Sequence, residues 1–226
     1  MASFRTHISF GIALGVLGCI ALVTAAATNA PALLVAVFAL ATLGSVLPDM
    51  DSDSGVPFHV AFGSLTVVVT VLAFLSAYKT APVNWRLVLI TTGGAAVLVW
   101  GVVGYVFKRI TRHRGMAHSL PAALLAGLIT FFLASRLYFS DQHSFVLGTA
   151  IALGYVLHLA LDELYAAVNF HGTLFIPNKA FGSALKVKSD SLVVNAAVYT
   201  AIFFLLAGNV QRLWGLAEGF WKQLGL

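Results

Sequence analysis

The sequence predicts an all-α protein, a polytopic membrane bundle of about seven transmembrane helices. Two observations carry that reading. The mean hydropathy is +0.94, with 60% hydrophobic and 9% charged residues, which is more apolar surface than a soluble domain buries. The apolar runs are about 17–24 residues long and recur along the chain, the length a helix needs to cross the hydrocarbon core. The only cysteine, Cys19, lies in the first run, so the chain has no internal disulfide and no basis for a zinc–thiolate site.

In order, helices are expected at about 8–28, 31–47, 59–77, 86–107, 119–138, 144–168 and 191–214. The basic region before the first holds only Arg5 and further spans follow at once, so this run reads as a retained helix and not a cleaved signal. Breaks fall at Asn29-Ala30-Pro31, after Pro48, at Lys79 to Arg86, at the basic cluster 108–114, at Ser140 to His143, and in a longer loop from Asn169 to Asp190. No repeat or soluble second domain is visible, so residues 1–226 read as one integral-membrane domain. Its last stretch, "LWGLAEGFWKQLGL", mixes Trp214, Phe220 and Trp221 with few charges, and 211–226 is expected as an interfacial helix. The glycine-rich stretches Gly93-Gly94-Ala95-Ala96 and Gly101 to Gly104 read as close helix contacts.

With the N-terminus placed in the cytoplasm, eight of the 13 Lys and Arg fall on that side: Arg5, Lys108, Arg109, Arg112, Arg114, Lys179, Lys186 and Lys188. The positive-inside rule therefore predicts a multi-pass plasma (inner) membrane protein with a cytoplasmic N-terminus. Membrane topology accounts for the pI of about 9.6, and no nucleic acid is expected among the partners because the charges are scattered.

On this topology His7, Asp49, Asp51, Asp53, His113, His118, His158 and Asp162 all come out at the cytoplasmic face. In "GYVLHLALDEL", His158 and Asp162 are four apart and share a helix face, the spacing that offers two ligands to a metal. A hydrogen-bonded His–Asp pair is the alternative, but ionisable groups in membrane helices are costly and usually functional. Glu163 points away, as an interfacial or supporting group. In "LPDMDSDSG", an extended or turning backbone would send Asp49, Asp51 and Asp53 the same way, and three acids so close repel unless cations or hydrogen bonds neutralise them. A solvated loop is the bland reading, and an EF-hand is disfavoured because Val60 stands where that loop needs Glu. In "HRGMAHSLPA", Ser119 is an expected N-cap with Pro121 in the first turn, so His118 sits at a positive helix end, and Gly115 turns His113 and Arg114 toward it; that is a seat for an anionic phosphate. His59 reads as an eighth ligand or a helix-end histidine, and His143 falls on the opposite side. The 169–190 loop, with His171, Lys186, Lys188 and Asp190, reads as a site cover or as ordinary lysine anchoring.

"PDMDSD", "HRGMAHS" and "GYVLHLALDEL", with an early Thr6-His7 and a downstream "GTLFIP", resemble the YdjM family of inner-membrane metal-dependent hydrolases, in the family's order and from His7 to about Asp190. Position by position, the resemblance implies metal ligands at His7, Asp49, Asp51, His113, His118, His158 and Asp162. The family is distantly similar to zinc-dependent phospholipase C, which implies phosphoester chemistry by analogy. The chain departs from the pattern at Ala117, Ser52 and Leu157, and Ser52 leaves Asp53 as a substitute ligand.

The expected function is a membrane-embedded metal-dependent hydrolase acting through metal-activated water on a phosphoester, such as a phospholipid or a lipid-linked phosphate. The donor set favours two or more zinc ions, with manganese as the other candidate, bridged by Asp49 or Asp51. Arg114 would stabilise phosphoryl charge, and Asp53 or Asp162 would orient or deprotonate the water. The membrane lipid bilayer is the expected partner. A metal-ion transporter is the competing class, although the ionisable residues crowd one face and no repeat is seen; a metal-stabilised scaffold without turnover is the third.

Overall fold

The computed structural model describes residues 2–51, 56–80, 83–105, 115–137, 139–167, 182 and 185–223. Among these the chain is all helical and its only β-type pairing is one isolated bridge, Ser119 to Lys186. It divides into two compact units, Met1–Pro48 with Arg114–Leu226, and Asp49–His113.

The first unit begins with α1, Phe4–Thr24, capped by Ser3, whose hydroxyl accepts from Thr6 N at 3.2 Å. That cap starts the helix four residues before the predicted 8, so His7 lies in its first turn and does not precede it. Ala26, at φ 51°, ends the turn that follows. Pro31 sits at the start of α2, Pro31–Gly44, where a missing N–H costs nothing. A 3-10 turn, Leu47–Asp51, leaves α2, so of the extended and turning backbones open to the D-x-D-x-D stretch, Asp49 and Asp51 take the turning one.

In the second unit α3, Val56–Thr80, pairs with α4, Trp85–Ala96, which Asn84 caps by accepting from Leu87 N at 3.1 Å. A π-helical stretch, Val97–Val103, continues α4. His59 of α3 is exposed and its ring lies 5.6 Å from Trp100. Gly93 and Gly94 do not mediate close contacts: a Cβ on either has nothing within 4 Å.

The first unit resumes with α5, Leu120–Arg136, and α6, Asp141–Ala167. Helix α6 is central, packing on α1, α2 and α5. At the α2–α6 crossing, a Cβ on Gly154 would overlap the Ala41 carbonyl and one on Gly44 the Ile151 carbonyl. Gly127 and Gly148 do the same for α5 against α6. Small residues let backbones approach closely where lipid supplies no hydrophobic drive between helices. Around these crossings lie buried Leu22, Leu33, Val37, Ala41, Leu147 and Ala150.

The helix predicted at 191–214 is broken. Helix α7, Leu192–Leu206, ends at Gly208, whose φ of 76° is left-handed, and α8, Val210–Gln223, leaves at 76° to it. Arg212 of α8 bonds both carboxylate oxygens of Asp141, with Nε to Oδ2 at 2.9 Å, and lies 5.2 Å over the Phe131 ring. Among the described residues three helical stretches are long and apolar enough to cross a membrane, Phe4–Thr24, Trp85–Val103 and Asp141–Ala167, and α7 with α8 would make a fourth if the bent pair is one span. Seven spans are thus not confirmed: among the described residues α2 and α5 are apolar but only 14 and 17 residues long, and α3 is not among the stretches that qualify.

Gly154→Leu is expected to destabilise the detergent-solubilised protein by about 1–3 kcal/mol or more, since it overpacks against backbone that cannot rotate away. Gly93→Ala, in open space, is expected to be neutral or to stabilise by up to about 1 kcal/mol through helix propensity. Thermal melts of the two variants side by side check this.

Candidate metal centre

Two helices and one turn of the first unit bring His7, His118, His158 and Asp162 together. On α6, His158 and Asp162 sit one turn apart with Nε2 to Oδ2 at 3.8 Å. His158 Nδ1 lies 2.8 Å from the Ser45 carbonyl at the end of α2. A carbonyl only accepts, so Nδ1 donates and Nε2 is the basic nitrogen, turned toward Asp162. Ser45 is fully buried and its own hydroxyl donates to Thr42 O at 2.7 Å. Gly11 of α1 makes room for it, since a Cβ there would overlap the Ser45 hydroxyl.

The first turn of α1 supplies His7. Its ring stacks on His158 with centroids 3.7 Å apart and planes at 15°, and its Nε2 is 3.2 Å from Asp162 Oδ1. The Ala2 amide donates to the same oxygen at 3.1 Å. His118 comes from the turn before α5, where its amide donates to Gly115 O at 3.2 Å. Ser119 caps α5 as its sequence indicated, accepting from Ala122 N at 3.3 Å and donating to Met116 O at 2.5 Å. The Tyr155 hydroxyl of α6 donates to Ala117 O and ties this turn to α6. His118 Nε2 then stands 4.0 Å from Asp162 Oδ2, its ring 5.6 Å from that of His158.

Asp162 is therefore the hub, with one oxygen toward His7 and Ala2 and the other toward His118 and His158. His118, His158 and Asp162 each offer a ligand atom within 4.8 Å of the others and can hold a metal ion. The relative exposures of His7, His118, His158 and Asp162 are 0%, 1%, 0% and 3%, so no bulk water solvates the set. His7 Nδ1 and Asp162 Oδ2 have no hydrogen-bond partner among the described residues. Each such buried group costs about 1–3 kcal/mol when unmet, so a cation at this position relieves a real penalty. Imidazole nitrogens with a carboxylate suit zinc or manganese better than calcium. The residues fit the group that the sequence pattern implies.

The other candidates separate as follows. Asp49 is half-buried and stands in the 3-10 turn whose Leu47 packs on Ala123, Tyr155 and Leu159 and whose Pro48 is buried. Asp51 closes that turn, but its side chain lies outside the described residues, as do Asp53, His113, Arg114 and His171 entirely. Glu163 accepts from the Gly182 amide. The Lys186 carbonyl accepts from Leu120 N at 3.0 Å, pinning the end of the 169–190 loop beside His118. His143 is 15 residues before His158 on α6, about 22 Å along the axis, and belongs to the far end. Sequence reasoning missed Ser45, because the group that acts is a main-chain carbonyl, which leaves no side-chain signature; the Gly44-Ser45 helix end is the nearest signal.

No curated protein and no solved structure matches the chain. A family model, described as YdjM inner membrane protein, matches residues 1–221, nearly the whole length and every part of the centre. With its apolar helices and its buried His/Asp cluster, the chain belongs to the YdjM inner membrane protein family.

Proposed function

We propose that this protein is a metal-dependent hydrolase of the inner membrane that cleaves a phosphoester, with a phospholipid or another lipid-linked phosphate as substrate. The convergence of buried His118, from the turn before α5, on His158 and Asp162 of α6 carries the reading, since buried ionisable groups in an apolar bundle persist where they have work to do. A divalent ion, zinc or manganese, would supply Lewis acidity toward a phosphoryl oxygen and would acidify a water.

The side chains prepare that chemistry. His118 and His158 present imidazole nitrogens and Asp162 a carboxylate oxygen. The Ser45 carbonyl holds the His158 tautomer, and the Ala2 amide and His7 hold the orientation of Asp162. With imidazoles on both oxygens of Asp162, His7 would join His118, His158 and Asp162 in holding metal if more than one ion binds. Asp49 as a further ligand is supported by its place in the turn that Leu47 and Pro48 anchor. His113 and Asp51 complete the proposed ligand set. Arg114, one residue before the Gly115 turn, is assigned to the phosphoryl oxygens, and Asp53 or Asp162 to the proton of the attacking water. The site faces the cytoplasm with the N-terminus, by the distribution of Lys and Arg.

Burial this complete favours one second reading, a closed centre that stabilises the bundle without turnover. The two differ in outcome. Elemental analysis of detergent-purified protein is expected to find about two equivalents of zinc or manganese, lost in the double variant His158→Ala/Asp162→Ala. Unmodified protein without bound metal under metal-replete conditions would sink both readings.

His118→Ala is expected to abolish release of phosphate or alcohol from phospholipid in mixed micelles. Hydrolysis unchanged by this substitution overturns the enzymatic reading. Chelation is expected to lower the melting temperature, with readdition of zinc restoring it by mass action, because an ion that binds only the folded state stabilises it. Recovery of stability with no hydrolysis of any phosphoester would favour the closed structural centre.

A further inference from the structure

Helix α8 divides lengthwise into three faces. Leu213, Leu216, Ala217 and Phe220 are half-buried, and the Phe220 ring lies 6.1 Å from that of Phe145 on α6. Gln211, Arg212, Glu218 and Lys222 hold the polar side, where Lys222 Nζ pairs with Glu218 at 2.7 Å. Beside the packed face runs a third strip, Val210, Trp214 and Trp221, whose members fall within about 40° of one another around the helix. Trp214 is 73% exposed and Trp221 52%, so both indoles are turned out of the bundle. Apolar exposure of this kind continues from α7, where Phe203 and Phe204 also stand out.

Position decides what meets that strip. Ala27, in the turn between α1 and α2, Phe139, in the turn between α5 and α6, and Phe220 of α8 all pack on one buried cluster that includes Leu22, Leu33 and Val146. The break between α7 and α8 stands just before Arg212, which reaches Asp141 at the start of α6. One end of the first unit thus gathers the chain turns, whose open backbone groups hydrocarbon cannot satisfy, and it belongs at water. Asp141 and Arg212 are both exposed there. The His/Asp cluster lies at the other end: from Asp141 to His158 is 17 residues of α6 and to Asp162 is 21, about 25 and 31 Å along the axis. The hydrocarbon core is about 30 Å thick, so with Asp141 at one boundary the cluster comes to the other.

We propose that α8 lies flat in the lipid–water boundary at the membrane face opposite the His/Asp cluster, with Trp214 and Trp221 seated among the lipid carbonyls and upper acyl chains. An indole suits that level because its body is apolar and its one N–H donor needs a polar partner. A helix turned by 76° from an apolar neighbour runs along the surface and not through it, and its polar side then faces water. The left-handed turn at Gly208 and the Arg212–Asp141 pair fix this helix to the bundle, so it acts as a depth stop that sets where α6, and with it the cluster, sits in the bilayer. The placement depends on no metal and on no reaction, and it stands or falls apart from the hydrolase reading.

Depth-dependent fluorescence quenching tests it. In the full-length chain carrying Trp85→Phe and Trp100→Phe, Trp214 and Trp221 are the remaining tryptophans. Reconstituted in phosphatidylcholine vesicles with bromines at graded positions along the acyl chain, both are expected to report a depth of about 5–10 Å below the headgroups. A depth near the bilayer midplane, about 15 Å down, overturns the proposal and makes α8 a re-entrant or spanning segment. Absence of quenching by every brominated lipid overturns it too, and means that water, a second copy or another protein meets the strip. Single cysteines in a Cys19→Ala background give a reading that keeps every tryptophan. Gln211→Cys, on the polar side of α8, and Lys188→Cys, exposed near the Lys186–Leu120 contact beside His118, are expected to react with a membrane-impermeant maleimide from opposite sides of oriented vesicles. Reaction of both from the same side overturns the placement, whatever metal the protein holds.

Discussion

Gly44 and Gly154 face each other where α2 crosses α6, and with no side chain at either position a carbonyl of each helix lies against the other. That approach sets the distance between the two helices, and the centre depends on it. It carries the Ser45 carbonyl to within 2.8 Å of His158 Nδ1, which chooses the tautomer and turns Nε2 toward Asp162. A methyl group at either glycine would push α2 outward, and Ser45 and His158 would part. Gly11 extends the same logic to α1, since the space it leaves is the space the Ser45 side chain fills. Main-chain packing thus sets where Ser45 meets His158 in the His/Asp cluster.

Placing three imidazoles and a carboxylate in an apolar bundle is costly, and the structure limits that cost in a specific way. Asp162 is met by an amide, His158 by a carbonyl, and His7 by the face of a neighbouring ring. Hydrogen bonding leaves His7 Nδ1 and Asp162 Oδ2 unmet among the described residues, and Oδ2 is the oxygen that faces His118 and His158. A cation is the natural partner for groups so arranged, because one ion engages several donors at once where a water would satisfy only some. A metal ion held here would therefore couple its binding to the stability of the bundle, whether or not the centre turns over substrate.

The other end of α6 is organised by different physics. Gly208 permits the left-handed residue that turns α8 by 76° away from α7, and Arg212 then reaches Asp141 and the Phe131 face together. Leu213, Phe220 and Trp221 of α8 then lie over the flanks of α6, where they help wall two apolar cavities of about 220 and 350 Å³. A straight helix through 191–214 would have left both flanks without that cover. The polar cluster and the apolar cavities consequently lie on different faces of one helix.

Hydropathy alone determined that the chain is a helical membrane protein, because apolar side chains in runs of span length have few other places to go. The i, i+4 spacing placed His158 and Asp162 on one face, and the Ser119-Leu120-Pro121 signature started α5 where it starts, since both depend only on local backbone geometry. Helix ends away from caps were less legible: the Ser3 cap moved α1 back over His7, and the broken helix at Gly208 had only one glycine to announce it. Which glycines pack closely was not legible at all. Gly93 and Gly94 look the part but face open space, while Gly44 and Gly154 are isolated in sequence and meet only once α2 and α6 are folded together. The sequence determined the residue types of the centre and their local periodicity; tertiary structure decided that His7 stacks on His158, that Asp162 is the hub and that a serine carbonyl orients the ring. Those contacts join residues up to 160 positions apart, and no pattern confined to one helix encodes the distance between two.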